Sequence, residues 1–229
     1  MQTATAWARR GRTAQILVAV AAAVIGVGAV VGLHALLASG PAPAPAQPTL
    51  SRHGLDGQAT WAAGAQPAPA ITTLRDQSGR SFSLASLRGR TVVMEFFDSH
   101  CRQECPLAGR ALAAAERLLP RARRPVLVVV SVNPVDTPAS ARAAVRAWGL
   151  SRVAPWHWLM GTHARLAPVW AAYHIFVQPT KGDISHTEAL YVIDRHGDER
   201  SGYLYPYLPG RVAHDLRVLA APPPRAGRA

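Results

Sequence analysis

The sequence predicts an α/β domain, a mixed β-sheet with helices on both faces, preceded by one N-terminal transmembrane helix. Two continuous apolar runs, TVVMEFF and PVLVVVSV, lack the alternation of a half-exposed strand and so suit strands buried on both faces. A helical pattern follows each run, as a parallel crossover requires. A third observation sets the N-terminus apart: residues 14–37 contain no Asp, Glu, Lys or Arg, and a proline-rich stretch follows them.

Taken along the chain, AQILVAVAAAVIGVGAVVGLHALL can cross a hydrocarbon core of about 30 Å at about 1.5 Å per helical residue. Its uninterrupted apolar run from Ile16 to Leu33 exceeds the roughly 7 to 15 residues of a cleaved leader, which favours a retained anchor over residues 14–38. Arg9, Arg10 and Arg12 precede it, so residues 1–13 are expected in the cytoplasm and the rest of this single-pass cell-membrane chain outside. No cysteine follows the span closely, so a lipid-modified N-terminus is not expected. Residues 39–68, with PAPAPAQPTL and AAGAQPAP, read as a Pro/Ala tether.

The folded domain is expected over residues 69–220. ITTLRDQSGRSFSL reads as a hairpin turning at Ser78-Gly79. TVVMEFF is the first buried strand, and LAGRALAAAERLL the helix after the turn FFDSHCRQECP. PVLVVVSV leads to TPASARAAVRAWG, a helix with Thr137 as N-cap, Pro138 at its first position and Gly149 at its end. WHWLMG reads as a short strand and THARLAPVWAAYH as a third helix, where Pro168 predicts a kink or a late start. ALYVID and SGYLYPY flank Arg195-His196-Gly197-Asp198 as a hairpin, PGRVAHDLRVLA is the last helix, and residues 221–229 are expected to be disordered. Strands alternating with helices, closed by an antiparallel hairpin and a helix, make a thioredoxin-like arrangement.

Composition narrows the function. The formal charge is +12, but Lys181 is the only lysine and the arginines are scattered through an Ala/Pro/Gly-rich chain. No basic run is interleaved with aromatics, so nucleic-acid binding is not expected.

The chemistry concentrates in one turn, where both cysteines of the chain, Cys101 and Cys105, stand three residues apart. A disulfide there would close a loop of about five residues and contribute only about 2 kcal/mol, a poor structural staple. Placed between a strand end and a helix start, the sulfurs instead meet unpaired backbone N–H groups and the helix dipole, which favour thiolate, and Arg102 adds a positive charge. A two-residue gap is the usual mark of disulfide exchange, whereas three residues let the sulfurs share a soft ion such as Cu(I). Among nine histidines most have structural accounts: His100 diverges from its neighbour Cys101, and His174 suits a helix C-terminus. His186 differs, because it precedes the strand that enters the sheet beside the first buried strand and its loop would open on the edge that holds the cysteines. It is either a strand-start residue or a third ligand. No P-x-x-x-[ST]-x-x-C pattern surrounds either cysteine, which argues against peroxidase chemistry.

These residues resemble the Sco/SenC family of membrane-anchored copper-handling proteins with a thioredoxin-like fold. The likeness covers roughly Pro69 to Leu219. LRDQSGRSFSLASLRGRTVVMEFF is similar to the family's opening D-x-x-G hairpin and first strand, SHCRQECP to its Cys-x-x-x-Cys-Pro motif, SVNPVDTP to its S-V-D-P…D-T-P loop, and ISHTEALYVIDRHG to its D-H-[ST]…Y-L-I-D-x-x-G segment. The resemblance implies copper ligation by Cys101, Cys105 and His186, and delivery of copper, as Cu(I) or Cu(II), to the dinuclear centre of cytochrome c oxidase subunit II. A partner thiol reductase is implied in an oxidising compartment. Such a metallochaperone is not an enzyme. The alternative is a thiol-disulfide oxidoreductase that uses Cys101 and Cys105 to reduce the client's copper-ligand cysteines. Arg102, Asn133 and Ser185 depart from the family's usual residues, and none of the three removes a ligand.

Overall fold

The computed structural model describes residues 53–152 and 154–220. The expected cytoplasmic segment, anchor and C-terminal tail lie outside them. Among the described residues no helix is long and apolar enough to cross a membrane.

Eight strands and four helices follow in the order β1 (Ala59–Thr60), β2 (Val92–Phe97), α1 (Glu104–Arg117), β3 (Val126–Ser131), α2 (Pro138–Ala147), β4 (Trp156–Leu159), α3 (His163–Ala172), β5 (Val177–Thr180), β6 (Asp183–His186), β7 (Ala189–Ile193), β8 (Glu199–Leu204) and α4 (Pro209–Ala220). The main sheet runs β1-β8-β7-β2-β3-β4. β2, β3 and β4 are parallel, while β7 joins β2 antiparallel and continues through β8 to β1.

Alternation within the apolar runs explains why both faces are covered. Val93 and Phe97 of β2 meet Leu112 of α1, Val145 of α2 and Leu216 of α4 in one core, and Met94 and Phe96 meet Leu166 and Trp170 of α3 in the other. The predicted α2 cap is present: the Thr137 hydroxyl accepts from the Ser140 N–H, Ser140 answers to the Thr137 N–H, and Pro138 opens the helix. α3 runs through Pro168 from His163 rather than starting late. His174, just beyond it, takes the left-handed position at φ 56° that usually falls to glycine.

One expectation needs correction, one holds in reduced form, and one element is an addition. Residues 55–68 are not tether. Leu55 is fully buried, the Asp56 N–H reaches Asp215 Oδ1 at 2.7 Å, and Ala59–Thr60 pairs with β8. This segment adheres through separate anchors rather than through a periodic face, so its Ala/Pro/Gly composition gives no strand signal. The expected 71–84 hairpin is present in reduced form, turning at Ser78-Gly79 with a single antiparallel Arg75–Ser81 bridge, and the Asp76 carboxylate accepts the N–H groups of Ser78 and Arg80. A separate two-stranded ribbon, β5–β6, turns at Lys181-Gly182, where Gly182 has φ 84°. Pro179 within β5 hides that strand from the sequence.

Candidate metal centre

Three loops converge at the carboxyl end of β2 because of the topology. β2 and β3 run parallel, so the loops that leave them open on one edge, and β7 runs opposite to β2, so its start opens there too. The first loop holds Cys101 and the second Asp136, and the connection into β7 begins at His186, the last residue of β6.

The cysteine turn is fixed from below. The buried Asp136 carboxylate accepts from the hydroxyls of Ser99 and Ser131 and from Trp158 Nε1 at 3.2 Å, and His100 Nδ1 stands 3.2 Å from its Oδ1. His100 is thereby turned to Asp136 and, with Asp98, forms a donor group apart from the cysteines. Asp98 Oδ1 accepts the His100 N–H at 2.8 Å and Asn133 Nδ2 at 3.0 Å. An ionised aspartate at position 133 could not donate that bond, so the departure has a local role.

α1 begins at Glu104, three residues before the expected start, so Cys105 occupies its first turn and Cys101 the loop ahead of it. Both thiols are free, Cys105 buried and Cys101 half-buried. Across 81 residues of chain, Cys105 Sγ stands 3.6 Å from His186 Nε2. Glu188 Oε1 lies 3.2 Å from each of these atoms. Cys105, His186 and Glu188 form a compact donor cluster. Cys101 stands outside it but lines the same cavity of about 210 Å³ with His186 and Glu188.

Glu188 is the site residue that sequence reasoning missed. The signal was present in SHTEAL, since an acid two positions after His186 in extended chain returns to the same side.

The electrostatics divide the two sulfurs. A hydrogen bond from the Cys105 thiol, followed by the backbone N–H groups of residues 103–105 against the cost of burial, lowers Cys101 to about 6. Those groups, rather than the exposed Arg102, supply the stabilisation. Cys105 is raised by donating that bond, by burial and by the negative charge of Glu188. Burial pushes His186 down, but the Glu188 bond and charge, the Thr187 carbonyl and the Cys101 charge outweigh it and leave its pKa raised. His186 Nδ1 faces the Thr187 carbonyl at 3.1 Å, which leaves Nε2 turned toward sulfur. A thiolate, a second thiol and an imidazole are soft to borderline donors, and they suit Cu(I) better than a hard cation. The donor set therefore fits copper, with the Glu188 carboxylate placed to receive a proton.

No curated protein matches the chain in sequence. Among solved structures, ScoI of Bradyrhizobium japonicum with copper bound is 27% identical, with 68% of this chain and 99% of that chain covered at a TM-score of 0.57. Yeast Sco1 with copper bound is 19% identical, with coverage of 69% and 91% and a TM-score of 0.57. BsSco, a member of the Sco family of cytochrome c oxidase assembly proteins in which a disulfide switch has been identified, is 18% identical, with coverage of 72% and 99% and a TM-score of 0.58. The SCO1/SenC family model matches residues 67–221, a stretch that contains every element from β2 to α4 and all three predicted ligands. With more than half of its 229 residues so matched, the chain belongs to the SCO1/SenC family.

Proposed function

We propose that this chain is an extracytoplasmic copper chaperone, held at the cell membrane by residues 14–38, that binds copper through Cys101, Cys105 and His186 and passes it to the dinuclear centre of cytochrome c oxidase subunit II. The observation that supports this most is the approach of His186 Nε2 to Cys105 Sγ at 3.6 Å, with Cys101 and His186 lining one small cavity. A solved relative at 27% identity holds copper, and another is named among oxidase assembly proteins. The cargo requires the sulfurs as thiolates and His186 neutral, so loading displaces protons, and Glu188 is placed to receive one. Cys101 is half-buried and reachable, so an incoming thiolate can replace one ligand at a time.

A second reading has its own support. A low-pKa, reachable Cys101 backed by a buried thiol is the asymmetric pair that disulfide exchange uses, with Cys101 attacking and Cys105 resolving. The two are separated by titrating the reduced full-length chain with Cu(I) against a chromogenic chelator, alongside an insulin-reduction assay. The chaperone reading expects His186→Ala to weaken copper more than the roughly 10- to 100-fold typical of an outer-shell group. Unchanged affinity in that variant, together with catalytic insulin reduction by the wild type, would favour the oxidoreductase.

A further inference from the structure

On the face of the sheet that carries α3, the helix stops short of β7, β8 and β1. There a groove of about 550 Å³ opens. Its floor is low because Ala59, Ala189 and Gly202 present little or no side chain. Gly202 adds no side chain to this floor, and a Cβ there would rest in ordinary contact, 3.4 Å from Cη2 of the Trp61 indole that walls the groove. Tyr173 and Tyr191 line the other side, with their rings edge to face at 5.6 Å.

Glu199 also lines this groove, and only 4% of its surface is exposed. Its N–H is used by the Gln66 carbonyl, but among the described residues no donor or cation reaches its carboxylate. Its negative charge is felt by the hydroxyls of Tyr173 and Tyr191, and both hydroxyls donate elsewhere, to the carbonyls of Pro69 and Tyr173. Glu199 thus turns a carboxylate that meets no protein donor among the described residues toward an aromatic-walled groove, where an entering charged donor can reach it.

We propose that this groove is a binding site for an alkylguanidinium cation, with Glu199 as the carboxylate partner and the rings of Trp61, Tyr173 and Tyr191 as the walls. A guanidinium offers two parallel N–H donors to one carboxylate and stacks on aromatic faces, whereas a quaternary ammonium would leave the carboxylate without hydrogen bonds. The site lies on elements apart from the cysteine turn and is independent of copper binding.

Calorimetric titration of the full-length chain at pH 8, above the value of about 7 to which burial pushes Glu199, tests the assignment. The probes are agmatine, acetyl-Gly-Arg-Gly-amide and the same peptide with citrulline in place of arginine. Saturable binding of agmatine or the arginine peptide is expected, weakened about 10-fold or more in both Glu199→Gln and Trp61→Ala, with the citrulline peptide silent. Glu199→Gln keeps the side-chain shape, and its thermal unfolding midpoint checks that the fold persists. A tighter peptide identifies the source as a protein side chain, and a tighter agmatine identifies a free small molecule; either supports the site. No binding at millimolar probe, equal affinity in Glu199→Gln, or equal binding of the citrulline peptide would overturn it.

Discussion

The two thiols differ in their surroundings: Cys105 is buried in the first turn of α1, and Cys101 is half-buried in the loop ahead of it. A turn holding the chain's only cysteines, between a strand and a helix, pointed to thiolate chemistry. Which sulfur carries the charge depends on who donates to whom, and that follows from Cys105 lying behind Cys101. Iodoacetamide labelling of the reduced chain should therefore modify Cys101 with a pH midpoint near 6 and leave Cys105 untouched. Cys105→Ala should raise that midpoint, because it removes the side-chain donor to the thiolate. A midpoint that stays near 6 in Cys105→Ala would assign the effect to the backbone N–H groups alone. Glu188 escaped notice because its role is to touch His186 and Cys105 from the side, and contact between three side chains on two elements is not written in the spacing of any one of them.

At the scale of elements, what had a period could be read. β2, β3, α2 and α4 lie close to their predicted bounds because each shows either an unbroken apolar run or a capped helical face. β1 and the β5–β6 ribbon were missed because short strands hold by register and by isolated anchors. β1 has a consequence for where the domain begins. A chain starting at residue 69 loses Leu55, the Asp56 bond to Asp215 and the Ala59–Thr60 pairing with β8, exposing the edge of β8. Burial of a leucine alone is worth about 1.5–3 kcal/mol. Urea unfolding should thus place the 69–220 fragment at least about 2 kcal/mol below a 53–220 fragment, and equal midpoints would show that residues 53–68 contribute only a spacer.

Across the whole molecule, the sheet and its helices raise the pKa of four carboxyls by burial, Asp136 beneath the cysteine turn and three glutamates. Glu95 sits in β2 between Val93 and Phe97, and its pKa is raised well above the usual range by burial, although Tyr207 donates to it at 2.7 Å. Glu116, fully buried on α1 without a hydrogen bond to either oxygen, is pushed up to about 8 by burial, against the opposing pull of Arg124. Glu199 is raised to about 7 by burial. At each glutamate the folded chain holds a proton at pH values where the unfolded chain, near 4.5, has released it. At these carboxyls the native state therefore binds more protons between about pH 4.5 and 8, and their contribution to stability falls as pH rises through that window, while Cys101, lowered to about 6, contributes with the opposite sign above pH 6. The sign of the carboxyl contribution is opposite to that of a domain held by ionised carboxylates. Glu116 offers the cleanest check, since it lies on α1 away from the cysteine turn and has no hydrogen bond to lose. Glu116→Gln should remove its share of the slope and stabilise the domain at pH 8 by about 1–3 kcal/mol, with little change near pH 5. Urea midpoints of the wild type and Glu116→Gln measured from pH 5 to 8 read this directly: a difference between them that stays constant over the range would mean that Glu116 ionises within the fold without penalty.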